Sequence, residues 1–136
     1  MSYIAIVGSR NINSDTANMV RAYVDGIADD NEAWAEPRHT VLSGGATGVD
    51  EVARQAAKDR RVPFKLYAVT AREWKAYGKA AGPMRNIEMV KNADVVVAFW
   101  DGVSKGTRHA IEEALSQRKR LEVFFPDDAV EWHETD

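Results

Sequence analysis

The sequence predicts an α/β fold with a mainly parallel sheet of about five strands, and three observations predict it. Short apolar runs alternate with stretches of helical periodicity. The runs are apolar at consecutive positions, as strands buried on both faces are. The first two runs end at glycine, at Gly8 and at Gly44-Gly45. Strands separated by helices in this way give a single Rossmann-like three-layer sandwich.

The elements follow in order. Tyr3-Ile4-Ala5-Ile6-Val7 reads as a buried strand, and Ser14 or Asp15 caps a helix with the apolar stripe Val20, Val24 and Ile27. Residues 29 to 38 read as a polar connection. Thr40-Val41-Leu42-Ser43 is a second strand, followed by a helix lined by Val49, Val52, Ala53 and Ala56. Pro63 to Val69 is a third strand, and Thr70 to Gly82 a looser stretch holding Trp74 and Tyr77. Pro83 suits the first turn of a helix running to about Asn92, with Met84, Ile87 and Val90 apolar. Asp94 to Trp100 is the clearest strand. Gly106-Thr107 opens a helix with Ala110, Ile111, Ala114 and Leu115 inward, and Leu121 to Phe125 closes as the fifth strand.

The chain has 136 residues, 45% of them hydrophobic and 29% charged, and no cysteine. That length fits one domain, expected over residues 1–126, and it buries about two-thirds of its unfolded surface. Without cysteine there is no disulfide framework, zinc ribbon or thiol nucleophile. The three histidines (His39, His109, His133) lack metal spacing, so neither a metal site nor a cofactor is expected. No run approaches the roughly 20 apolar residues of a membrane span, and the start lacks a signal-peptide pattern; the expectation is a cytoplasmic protein. Net charge is −3, from 18 Lys and Arg against 21 Asp and Glu, which disfavours a duplex-DNA binder. Five of the acids lie in an acidic tail, residues 127–136, and the body is near neutral.

Ligands bind such sheets at the carboxyl ends of the strands. Four loops there favour anions. Gly8-Ser9-Arg10 offers a tight turn and donors. Ser43-Gly44-Gly45-Ala46-Thr47-Gly48-Val49-Asp50 turns a strand into a helix and presents backbone N–H groups, as phosphate loops do, although it is neither a dinucleotide fingerprint nor a Walker A sequence. Thr47-x-x-Asp50 also resembles a capping box, with Asp50 either capping or meeting a ligand. Arg85 and Asn86 fall in a first helical turn, where an Arg opposes the dipole unless it meets an anion or an acid such as Glu88 or Asp101. Ser104-Lys105-Gly106-Thr107 enters another helix behind Trp100, which either stacks on a base or covers the sheet edge. Together these loops predict a phosphorylated, nucleotide-like ligand.

The ordered set Gly8-Ser9-Arg10, Ser43-Gly44-Gly45-Ala46-x-Gly48-Val49-Asp50, Gly82-Pro83-x-Arg85-Asn86-x-x-Met89 and Ser104-Lys105-Gly106-Thr107 resembles the YspA-like branch of the SLOG superfamily, common in phage and bacterial genomes. The resemblance implies a Rossmann-like domain that binds a nucleotide or nucleotide-derived signal, as sensor or sequestering protein, often as a homo-oligomer. In this reading Arg10 and Arg85 neutralise phosphate held by the backbone of residues 44–48 and 104–107, and Asp50 accepts ribose hydroxyls. Two related groups imply alternatives. LOG phosphoribohydrolases cleave the base from nucleoside monophosphates; Arg85 and Gly106-Thr107 match their motifs, but Ala110 stands where their Glu does, leaving Asp50, Asp101 or Glu112 as the acid. The DprA core has a similar motif order and implies single-stranded DNA binding, with Arg10, Arg85, Lys105 and Arg108 as charge and Trp100 or Trp74 as a stacking face.

Overall fold

A computed structural model describes residues 2–126, so the acidic tail at 127–136 lies outside the described residues. The order is β1 (Ser2–Gly8), α1 (Ser14–Glu32), β2 (His39–Gly44), α2 (Val49–Asp59), β3 (Phe64–Tyr67), α3 (Ala71–Tyr77), a 3₁₀ turn (Gly78–Ala80), α4 (Ala81–Asn92), β4 (Val95–Phe99), α5 (Lys105–Ser116) and β5 (Arg120–Phe124). All four strand pairings are parallel, and the sheet runs β3-β2-β1-β4-β5. This is the expected Rossmann-like α/β sandwich.

Alternation along the two central strands feeds two cores. Ile4, Ile6, Val97 and Phe99 pack under α1 and α2 with Val20, Val24, Ile27, Val49 and Ala53. Ala5, Val7, Val96 and Ala98 pack under α4 and α5 with Met89, Val90, Ala110 and Ala114. Burying a side chain such as the fully enclosed Ile6 contributes roughly 2 kcal/mol. The second core uses small residues, which brings α5 close to the sheet.

β1 and β4 are neighbours in register, Gly8 level with Phe99. The connection from β1 leads to one side of the sheet and that from β4 to the other. Their carboxyl ends diverge there and leave a crevice.

Several elements differ from expectation, each for a local reason. Asn13, not Ser14 or Asp15, is the N-cap of α1, its Oδ1 accepting from the Thr16 N–H at 2.9 Å. α1 runs on to Glu32 through the expected connection, because Arg60 on the next helix end gathers Asp25, Asp29 and Glu32 at 2.9, 2.8 and 3.3 Å. The loose stretch contains α3, started by a reciprocal capping box between Thr70 and Glu73. β3 is shorter than read, ending at Tyr67. On α4, Met84 and Ile87 are exposed while Asn86, Met89 and Val90 are buried. Leu115 points outward from α5 at 62% exposure, because Ala110 and Ala114 already occupy the inward stripe. Among the described residues no helix is long and apolar enough to cross a membrane.

Candidate functional site

The crevice between β1 and β4 is a hollow of about 360 Å³. The loop after β1 supplies Gly8, Arg10 and Asn11; the loop after β2 supplies Ala46 and Asp50. α4 contributes Arg85, Asn86 and Met89, and the β4–α5 turn contributes Asp101 and Ser104 to Thr107. All four loops singled out in the sequence therefore meet. Val7, Asn11, Met89 and Ala110 also line the hollow. Asn11 directly follows Gly8-Ser9-Arg10, Met89 closes the Gly82-Pro83-x-Arg85-Asn86-x-x-Met89 motif, and Ala110 stands at the position of the phosphoribohydrolase Glu, so each lay beside a sequence signal.

Three cations face this space. Arg85 is held rather than free: its Nη1 donates to the Tyr67 carbonyl at 3.2 Å and its Nε to Asn86 Oδ1 at 3.0 Å. Asn86 is buried and in turn donates to the Gly106 carbonyl and meets His109 Nδ1, both at 3.3 Å. Asn86 thus orients Arg85 against the start of α5. Burial holds the Arg85 pKa below its usual value, Arg10 adds to the depression, and Asp50 opposes it. Arg10 and Lys105 stand exposed at the rim. Arg60 and His39 form their ion pairs with acids of α1, away from this space.

The glycine-rich loop works differently from its sequence reading. The N-cap of α2 is Gly48, at φ 75°, with no side-chain cap, so the Thr47–Asp50 capping box does not form. Gly48 leaves Thr47 outside the cap position, and the backbone approaches so closely that a Cβ on Gly48 would stand 2.3 Å from the Ser9 and Arg10 carbonyl oxygens. The first N–H of α2, that of Val49, donates to Ser9 O at 3.1 Å. Asp50 instead turns back into its own loop and accepts from the Ala46 N–H at 3.3 Å. Gly44 makes room for this arrangement, since a Cβ there would meet Arg85 Nη1 at 2.2 Å and Asp50 Oδ2 at 2.9 Å. Burial pushes the Asp50 carboxyl up to about 6, against the pull of Arg85, the Ala46 N–H, the Ser43 hydroxyl and Arg10. Ser43 is fully buried beside it. Gly45 lies on the β3 side against Ala68, and Thr47 and Gly48 face a neighbouring hollow.

Ser9 spends its polar groups within the chain. Its N–H donates to Phe99 O at 3.2 Å, its carbonyl takes Val49, and its hydroxyl accepts from the Asp101 N–H at 3.1 Å. Asp101 closes the next turn, accepting from the Val103 and Ser104 N–H groups at 2.8 and 2.7 Å and from the Ser104 hydroxyl at 2.7 Å. Burial opposes its ionisation, but these donors outweigh burial and hold its pKa below the usual carboxylate range. Because Ser104 is committed to Asp101, no side chain caps α5, and its first turn carries Lys105 and no acid. Trp100 donates from its indole N–H to Ser104 O at 3.1 Å and packs on Phe125; it does not line the hollow. Glu112 is exposed farther along α5, outside the lining, and Arg108 and Trp74 also lie outside it.

The result is a crevice with more positive charge than its own acids absorb, at an uncapped helix start. Positive charge at a helix start is the arrangement that favours an anion.

A profile of the family described as DNA recombination-mediator protein A matches residues 1–76. That stretch contains β1, α1, β2, α2 and their loops, whereas Arg85 and the α5 turn lie beyond it. The Gene 61 protein of Mycobacterium phage D29 is 47% identical over 77 residues, covering 54% of this chain and 62% of that protein. Among solved structures, DNA processing protein A (DprA) from Streptococcus pneumoniae matches with a TM-score of 0.74 at 17% identity, over 93% of this chain and 51% of that one. The same protein from Helicobacter pylori, described for its single-stranded DNA binding mode, matches with a TM-score of 0.71 at 18% identity, over 90% and 64%. The chain thus spans between about half and just under two-thirds of these relatives. At such identities the two structures share its fold.

Proposed function

This chain belongs to the DNA recombination-mediator protein A family, and from that premise we propose that it binds single-stranded DNA at the carboxyl edge of its sheet, seating a strand phosphate in the crevice between β1 and β4. The observation that carries this reading is the convergence of Arg10, Arg85 and Lys105 on the uncapped start of α5. Arg85, fixed by Asn86 and the Tyr67 carbonyl, meets the phosphate without first being ordered, which lowers the entropic cost of binding. Arg10 and Lys105 at the rim attract and steer the strand. The motif order that resembles the YspA-like branch fits the same site.

A second reading, a free nucleotide or nucleotide-derived signal, is favoured by one observation: among the described residues, no aromatic side chain lines the hollow. Strand-binding grooves gain much of their affinity from bases stacked on aromatics. A hydrolytic form of this reading would rest on Asp50, beside Arg85, since Asp101 is tied into its turn and Glu112 lies outside the lining.

Titration with an oligo-dT twelve-mer and with thymidine 5′-monophosphate, at several salt concentrations, separates the readings. The strand reading expects the twelve-mer to bind at least roughly tenfold tighter, with affinity falling steeply as salt rises. Equal affinities would establish the free-nucleotide reading in its place, and released base in the same sample would establish the hydrolase. Binding of neither ligand would overturn both.

A further inference from the structure

Beside the crevice lies a second hollow, of about 580 Å³, between the first turns of α1 and the start of α2. The two adjoin: Arg10 and Asn11 line both, so one exposed guanidinium borders each of them. Next to Arg10, the Ser9 and Arg10 carbonyls press close against Gly48. Ser14, Ala17 and Arg21 face the second hollow from one stripe of α1, as the helical period dictates. Thr47 and Glu51 face it from the other side. Its charged groups are two guanidiniums against the carboxylate of Glu51, and the Asn11 and Asn13 amides and the hydroxyls of Ser14 and Thr47 complete its polar lining. Arg21 is exposed and, among the described residues, donates to Asn18 Oδ1 one turn away at 3.2 Å. Two adjoining cationic hollows that share an arginine suit an extended polyanion.

We propose that the second hollow is the subsite for the next nucleotide of the bound strand, with Arg21 holding its phosphate and Arg10 standing between two successive phosphates. The inference rests on the strand reading above and sets the footprint at two nucleotides or more. It follows that Arg21 acts only on ligands longer than one nucleotide, whereas Arg85 acts on all of them.

The test uses the full chain, the oligo-dT twelve-mer and thymidine 5′-monophosphate. Arg21→Ala, at an exposed helical position where alanine is favourable, should weaken the twelve-mer by roughly tenfold and reduce the salt slope by about 0.7, leaving the monophosphate unchanged. Glu51→Gln should shift the same affinity the opposite way, by about threefold, by removing the one carboxylate. If Arg21→Ala leaves twelve-mer affinity and slope unchanged while Arg85→Ala weakens the twelve-mer strongly, the second subsite is overturned and the strand reading stands. An equal loss for both ligands on Arg21→Ala also overturns it. Wild-type protein that binds the monophosphate as tightly as the twelve-mer sinks the strand reading and this inference together.

Discussion

Helices α2 and α5 both begin at the carboxyl edge of the sheet, and both follow a glycine-bearing turn, yet their positive ends are used in opposite ways. At α2 the chain itself occupies the end. Ser9 takes the first N–H, Asp50 takes the Ala46 N–H, and Asp50 and Glu51 place acids in the first turn. At α5 the N-cap hydroxyl turns away to Asp101, and the first turn holds a lysine and no acid. The glycines before α2 thus record close packing, at Gly44 under Arg85 and at Gly48 against two carbonyls. The helix start left open is the less glycine-rich of the two. A glycine count locates tight backbone; the sign of the first-turn charges distinguishes the helix start the chain occupies from the one it leaves open.

The largest effect that could break this comparison is at Gly48. Alanine there would meet both a backbone clash and a φ of 75°, so Gly48→Ala should cost about 3 kcal/mol or more and lower the thermal midpoint by roughly 10 °C. A midpoint close to wild type, measured by calorimetry, would mean that the α2 start has slack.

Next is the acid enclosed at α2. Asp50 ionises near 6 when folded and at 3.8 by itself. Above pH 6 the folded chain bears a buried carboxylate, at a cost of up to about 3 kcal/mol. That cost fades as pH falls through 6 and is gone below 3.8, so Asp50 makes the protein more stable towards mild acid. Asp50→Asn should therefore gain stability over wild type at pH 8 and lose that advantage by pH 4. A difference independent of pH in denaturant melts would show that Asp50 is not enclosed as described. Asp101 titrates with the opposite sign: its depressed pKa gives stability that is present above the unfolded value and lost as pH falls through the folded one.

Arg85→Ala tests the shared wall of the two helix starts. Oligonucleotide affinity should fall about 30-fold, near 2 kcal/mol, and the Asp50 pKa should rise further because its principal counter-charge is gone. NMR titration of the Asp50 carboxyl reads the second effect even where binding is weak. The smallest effect is expected at Ser104. Because its hydroxyl serves Asp101 and not the helix, Ser104→Ala should cost less than the roughly 1 kcal/mol of an ordinary N-cap and leave binding within about twofold. A full capping loss would make α5 resemble α2 and remove the contrast.

Much of the fold was legible because its signals are local. β1 and β4 are apolar at consecutive positions, and Val20, Val24 and Ile27 keep a helical period, so each announces its burial without reference to the rest of the chain. The four loops of the site were legible for the same reason. What escaped the sequence depends on partners far along the chain. The last turns of α1 are held by Arg60, and Asp101 and Val49 are both claimed by Ser9, which lies 92 residues before Asp101. Thr70-Ala71-Arg72-Glu73 did carry the capping-box spacing of α3, but the glycines at 78 and 82 and the absence of an apolar stripe masked it. Leu115 read as inward from its spacing, yet alanines of α5 closer to the sheet leave it no space.

Ser9 has a kinetic consequence. It joins the end of β1 to the start of α2 and, through Asp101, to a turn formed by the last third of the chain. Closing so long a loop is among the slower steps available to a folding chain. The first half can pair β1 with β2 and wrap α1 and α2 without Arg85, Lys105 or α5. The crevice is therefore completed only when β4 and α5 dock, and in refolding experiments ligand capture should rise with the slowest native signal, never ahead of it. Binding then serves as a proofreader of assembly, since a chain stalled after its first half has no finished site to offer.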